Sequence, residues 1–166
     1  MTTENIKNLA VNSLKAAPAT KKFFAQLKKT KPGNLDTVVA EIHDQVFERT
    51  NCLNCANCCK TTGPRFTNKD IERLAKHFRV KPSQFIDKYL HIDEDHDFVL
   101  NELPCAFLGA DNYCSVYDIR PEACREYPHT NRKQFHKILD ITLKNTAICP
   151  AAFEIVEELK KRMEKI

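Results

Sequence analysis

Apolar residues recur at helical spacing over much of this chain. Ile6, Leu9, Ala10, Leu14 and Ala17 form one stripe over residues 3–17, the period of an amphipathic helix. Pro18 is expected to end it, because a proline inside a helix removes a backbone donor and clashes with the preceding turn. A second short helix then runs through Phe23, Phe24 and Leu27. Lys31-Pro32-Gly33-Asn34 reads as a loop closing on an N-cap. Leu35, Val38, Val39, Ile42 and Val46 mark a further helix that leads straight into the first cysteines.

Past those cysteines, Thr62-Gly63-Pro64 reads as a turn, and Thr67-Asn68-Lys69-Asp70 as a capping-box-like start for a helix bearing Ile71, Leu74, Ala75 and Phe78. Pro82 suits the first turn of the next helix, which carries Phe85, Ile86, Tyr89 and Leu90. β structure is expected only within residues 98–118, as short apolar runs linked by the turn Gly109-Ala110-Asp111-Asn112. Arg120-Pro121 opens a helical turn, and residues 133–145 fit strand or helix equally. From Pro150 the residues Phe153, Val156, Leu159 and Met163 define a last amphipathic helix.

Charge adds an asymmetry to this pattern. The net charge is +4, yet residues 1–33 hold seven lysines against Glu4, a balance of +6, which leaves −2 for the rest. A basic extension can meet an acidic partner or a phosphate backbone. No aromatic or arginine motif accompanies the lysines, so they are read as a solvated helix face, and nucleic acid is not expected as a partner. The chain thus divides into a basic helical N-terminal extension, 1–33, and a domain, 34–166, expected to fold as one unit. The start, Met1–Lys7, has no basic n-region followed by an apolar run. No stretch approaches the roughly 18 apolar residues of a membrane span. A reducing cytoplasm, where disulfides rarely persist, is the expected compartment.

In that compartment eight cysteines change the picture. Four of them fall in Cys52-Leu53-Asn54-Cys55-Ala56-Asn57-Cys58-Cys59. A C-x-x-C spacing brings two sulfurs to one ion at about 2.3 Å, because the loop between them turns the backbone back on itself. Cys58 and Cys59, as neighbours, are expected to diverge toward different ions or different atoms of one cluster. The other four, Cys105, Cys114, Cys124 and Cys149, are scattered downstream. Eight thiols allow two four-thiolate sites, one multinuclear cluster, or a single site with thiols to spare. The run C-x-x-C-x-x-C with a distant Cys149-Pro150 shares ingredients with iron–sulfur ligation, and four-thiolate zinc fits the spacing as well.

Other readings compete residue by residue. Any one cysteine can be a small core hydrophobe, and Cys105, between Leu103 and Phe107, suits that best. The polar loop 52–59 does not, and a redox dithiol needs no further thiols. The histidines His43, His77, His91, His96, His129 and His136 form no metal-binding pattern, and only His129 is a candidate ligand. The acidic loop Asp93-Glu94-Asp95-His96-Asp97 lacks the spacing and glycine of a calcium loop and reads as a solvated turn.

The ordered combination resembles the CxxCxxCC zinc- or iron-chelating domains, the YkgJ-like cysteine cluster proteins. It rests on Cys52–Cys59, Leu103-Pro104-Cys105-Ala106-Phe107-Leu108, Cys114-Ser115-Val116-Tyr117, Arg120 to Pro128 and Cys149-Pro150, over roughly residues 48–150. The resemblance implies that all eight cysteines, Cys105 included, are metal ligands. Two departures stand out: Ala56 where the family usually has glycine, expected to cost little strain, and His129 where it often has a further cysteine. Four thiolates per divalent ion leave excess negative charge that must be compensated. Arg120 and Arg125 are candidates to hydrogen-bond the sulfurs, or else to pair with Glu122 and Glu126.

The fold expected is α+β: small, mostly helical, with a short hairpin gathered around the cysteine-ligated metal. Three functions follow. The first is a metal-binding module whose thiolates hold zinc or iron for stability. The second is an iron–sulfur oxidoreductase or a protein-modifying enzyme. The third is a metal-stabilised adaptor that binds a protein partner through its basic helices. Only three glycines are present, which argues against phosphate-cradling loops, and the balance leans away from an enzyme.

Overall fold

The computed structural model describes residues 3–163, with side chains from residue 8 onward. Ile6, placed above on the first apolar stripe, lies outside the described side chains. The architecture is mostly helical α+β, and the chain forms two compact units, Met1–Cys55 with Pro128–Ile166, and Ala56–Tyr127. The first unit holds α1 (Thr3–Thr30), α2 (Leu35–Phe47), the single turn α3 (Cys52–Cys55), α8 (Leu139–Thr146) and α9 (Pro150–Met163). The second holds α4 (Asn57–Thr61), α5 (Asn68–Phe78), α6 (Pro82–Tyr89), α7 (Glu122–Glu126), and the strands β1 (Arg65–Phe66), β2 (Leu90–Ile92) and β3 (Phe98–Leu100).

In the first unit the apolar stripe of α2 does what its spacing predicts. Leu35, Val39, Ile42 and Val46 are buried and share a core with Ala151, Ile155, Val156 and Leu159 of α9. Phe135 and Leu139, both fully buried, fill the same core. The carboxylate of Asp36 accepts the backbone N–H groups of Gln134 and Phe135 at 2.6 and 2.9 Å, which fixes the 3₁₀ turn Phe135–Lys137 ahead of α8. Residues 133–145, ambiguous in sequence, are thus largely helical.

α1 departs from expectation at Pro18, through which the helix runs unbroken. A proline here removes the donor to the Leu14 carbonyl, but Leu14 is 76 % exposed, so water can replace that donor. Packing holds the two halves in line. Leu9, Ser13, Thr20, Phe24 and Leu27 are all buried, Ser13 shares a 2.9 Å hydrogen bond with Thr146, and Lys28 pairs with Asp140 at 2.7 Å. Tertiary contact outweighs local propensity.

In the second unit the strands form a three-stranded antiparallel sheet in the order β1-β3-β2, with Arg65 opposite Val99 and His91 opposite Val99 on the other side. Confining β structure to residues 98–118 was therefore too narrow. Two- and three-residue strands carry no readable alternation, and Leu90 continues the apolar spacing of α6. Between Phe107 and Ser115 the chain makes a tight turn with one isolated bridge, Leu108 to Cys114. Gly109 N–H donates to Tyr113 O at 2.8 Å and Ser115 N–H to Phe107 O at 2.9 Å. The core is aromatic: Phe66, Phe78, Phe85, Tyr89 and Phe107 pack together, with Phe85 and Phe107 stacked 6.1 Å apart.

α5 begins with the expected capping box. Thr67 Oγ1 accepts from Asp70 N–H at 3.2 Å, and Asp70 accepts from Thr67 N–H at 3.0 Å. Pro82 occupies the first turn of α6, where its missing donor is not needed.

Candidate metal centre

Asn51 starts the cysteine segment. Its side-chain oxygen accepts the N–H of Leu53 at 3.0 Å, capping the single turn α3. Cys52 and Cys55, three apart on that turn, lie on one face. The chain then reverses at Ala56, whose φ of 48° and ψ of 15° are left-handed. An L-residue is strained there by roughly 1–2 kcal/mol, so the alanine at this glycine position carries more strain than sequence suggested. α4 follows with Cys58 and Cys59. It closes where Thr62 and Gly63 donate to the Cys58 carbonyl at 3.0 and 3.2 Å, Gly63 having a φ of 63°.

Within the second unit, backbone bonds bring distant cysteines to this turn. Cys105 N–H donates to Cys59 O at 2.8 Å. The turn from Phe107 to Ser115 returns Cys114 to the level of Leu108. Cys124, on α7, is placed by the helix start opposite. Asp70 Oδ1 accepts Glu122 N–H at 3.1 Å, while Arg73 donates to the carbonyls of Ile119 and Arg120 at 3.1 and 3.0 Å. Asp70 in turn pairs with Arg73 at 2.5 Å. The capping box was legible in sequence, but the use of its carboxylate and of Arg73 to seat the Cys124 segment was not.

The thiols sense one another. Burial pushes Cys105 up to about 11, with the charges of Cys59 and Cys114 adding to it. Burial also pushes Cys124 to about 12, and Cys59, Cys105 and Cys114 add. Cys114 is raised by burial and by Cys59, against the pull of Arg120. Cys59 moves the other way, to about 7. The Cys58 thiol hydrogen-bonds it and, with its own backbone N–H and Lys60, outweighs burial. The Cys59 thiol is thus biased toward its thiolate while burial biases its neighbours toward the neutral form, a mismatch that a bound cation would relieve.

In the first unit Cys149 precedes α9, its carbonyl accepting Phe153 N–H at 3.0 Å. Burial raises its thiol to about 12, and the charges of Cys52 and Cys55 add to that. His129 also belongs to this unit and has a left-handed φ of 68°. His43 Nδ1 bonds Thr130 Oγ1 at 2.8 Å and its ring stacks on Phe47.

All eight cysteines are free thiols. Among the described residues no three or more His, Cys, Asp or Glu side chains stand ready-made around an ion. The donors fit a divalent zinc or iron ion chemically: soft sulfur, partly buried at every cysteine but the exposed Cys52, with burial and mutual charge opposing ionisation of Cys105, Cys114 and Cys124 in the absence of a cation.

The remaining candidates fall into place around this. Arg120 lies 3.9 Å over the Tyr117 ring and donates to Tyr117 O at 2.6 Å, and its charge favours the thiolates of Cys114 and Cys124. Arg125 donates to Arg120 O at 2.7 Å. In the acidic loop, Asp93 accepts the N–H groups of Asp95 and Asp97, both at 3.0 Å, which is a self-closed turn. A cavity of about 330 Å³ lies between α2 and α9, lined by Ile42, Arg49, Glu154 and Glu157 among others and by no cysteine. Among the described residues no helix is long and apolar enough to cross a membrane.

The family model CxxCxxCC, described as a zinc- or iron-chelating domain, matches residues 51–145. No curated protein and no solved structure matches the chain.

Proposed function

The chain belongs to the CxxCxxCC family, and on that premise we propose that it is a metal-binding module whose eight thiolates, Cys52, Cys55, Cys58, Cys59, Cys105, Cys114, Cys124 and Cys149, hold zinc or iron. The observation that carries this reading is the gathering of free thiols from far-apart segments, above all in the second unit, where Cys105 N–H bonds the Cys59 carbonyl at 2.8 Å and the Leu108–Cys114 bridge folds Cys114 back toward that strand of chain. Neutral thiols of that density gain little by meeting. Thiolates around a divalent ion gain strongly, and the ion returns that energy to the fold. The metal would supply Lewis-acid charge that neutralises sulfur and cross-links short elements. Arg120, beside Cys114 and Cys124, offsets part of the residual negative charge. Free thiols suit a reducing cytoplasm.

The test is elemental. The untagged protein is purified without oxygen, and zinc, iron and acid-labile sulfide are measured per chain, with a visible spectrum. Colourless protein carrying zinc supports a structural module. Iron with sulfide and a broad visible band turns the reading toward an iron–sulfur centre and redox chemistry. Protein free of both metals while its thiols stay reduced overturns the proposal.

A further inference from the structure

We infer that the outer face of α1 docks an acidic amphipathic helix of another protein. Val11, Leu14 and Pro18 meet its apolar residues, and Lys15, Lys21, Lys22 and Lys29 meet its carboxylates. The inference concerns the first unit alone and does not depend on the metal.

The unbroken path of α1 through Pro18 is what creates this face. With about 100° of rotation per residue, Leu9, Ser13, Thr20, Phe24 and Leu27 share one side of the helix, and all are buried. Val11, Leu14, Pro18 and Ala25 fall about half a turn away. All four are exposed, Leu14 at 76 %. A surface helix ordinarily has one apolar stripe, turned inward, and a polar opposite side. α1 carries a second, outward seam, and exposed lysines border it: Lys15 and Lys22 on one edge, Lys21 on the other, and Lys29 at its end. From Val11 to Lys29 the face is about 27 Å long, at about 1.5 Å per residue. An apolar seam with flanking charges is how helices pair, the seam burying area and the charges choosing the partner.

Charge decides the occupant. Lys28 is paired with Asp140. Among the described residues Lys15, Lys21, Lys22 and Lys29 have no carboxylate partner, and no acid occurs between Glu4 and Asp36. A second copy of α1 would set lysine against lysine, which repels. A phosphate backbone offers nothing to bury against Val11 and Leu14. An anionic bilayer takes up the larger apolar face of a helix, and α1 has turned that face into its own core. A helix bearing carboxylates beside an apolar stripe answers both features.

The experiment uses the full chain and a fluorescent synthetic helix of about three heptads, with leucine at the seam and glutamate beside it. Its comparators are the same residues in shuffled order, a DNA duplex, and phosphatidylserine vesicles. The ordered peptide is expected to bind at least about tenfold more tightly than the shuffled one, and to weaken as salt rises from about 0.05 to about 0.5 M. Lys15→Glu with Lys22→Glu, and separately Leu14→Asp, should each cost about tenfold or more in affinity. Circular dichroism and metal content should stay those of wild type, since these side chains are exposed. Equal binding of ordered and shuffled peptides overturns the proposal on the wild-type chain alone. Unchanged affinity in both variants also overturns it. Tighter binding of the duplex or the vesicles than of the ordered peptide overturns the choice of occupant, as does self-association of the chain that either variant abolishes.

Discussion

The carboxylate of Asp70 accepts the backbone N–H of Glu122 at 3.1 Å, across 52 residues of chain. With its side chain only 2 % exposed, Asp70 also takes Thr67 N–H and the Arg73 guanidinium. One helix cap thereby fixes the start of α7 and the approach of Cys124. Removing one partner of such a buried pair typically costs about 3–5 kcal/mol. Asp70→Ala is expected to lower unfolding stability by about 3 kcal/mol, read from the denaturant midpoint at constant slope. A loss below about 1 kcal/mol would refute the latch.

Asp70 also predicts a pH dependence. Burial alone would raise its pKa, but hydrogen bonds from Thr67, Arg73 and Glu122 N–H outweigh that and hold it below 3.8. A depressed carboxyl contributes stability above its unfolded value, and that contribution disappears as pH falls through the folded value. The stability gap between wild type and Asp70→Asn should be full at pH 6 and close as the pH drops below about 4. A gap that stays constant down to pH 2 would contradict the assignment.

Ala56 is left-handed and 4 % exposed. Ala56→Gly relieves roughly 1–2 kcal/mol of strain and gives back about 0.4–1 kcal/mol as unfolded-state freedom. The expected result is a stability equal to wild type or up to about 1.6 kcal/mol higher. Ala56→Val adds a branched side chain at positive φ and should lose more than about 2 kcal/mol. Equal thermal midpoints for the two variants would count against the geometry.

Pro18 sits inside an unbroken α1. Restoring its N–H returns the bond to the Leu14 carbonyl, and an interior proline costs up to about 3 kcal/mol relative to alanine. Pro18→Ala should therefore stabilise the chain by about 1–3 kcal/mol, less whatever rigidity proline lends the unfolded state. Helix content by circular dichroism should not fall. A drop in either quantity would mean that the helix needs its proline.

The raised thiols give the metal-free protein an alkaline weakness. Burial favours the neutral forms of Cys105, Cys124 and Cys149, at about 11, 12 and 12 against 9.0. Their contribution is full below pH 9 and is lost as pH climbs through those values. The chelated chain should lose stability progressively above pH 9, while the metal-loaded chain, its thiolates already ionised, should hold. Adding zinc to the apo-protein at pH 7 in weak buffer should release protons, up to about four for each ion bound by four thiolates. Unchanged pH on zinc addition would argue against thiolate ligation.

What the chain determined by itself is whatever a few neighbouring residues settle. The α2 stripe of Leu35, Val39, Ile42 and Val46, the Thr67–Asp70 cap, Pro82 at a helix start and the turn at Gly109 follow from local periodicity and backbone chemistry. So does the single-turn pairing of Cys52 with Cys55. Tertiary structure decided the rest, because the deciding interactions join residues far apart. The helix passes Pro18 because α8 and α9 hold both halves. Leu90 enters a strand because β3 offers it a partner. Cys105 meets Cys59 through one backbone bond across 46 residues. Spacing could mark the thiols as candidate metal ligands, but which of them share surroundings is set by how loops close on one another, and no local signal in the sequence encodes that.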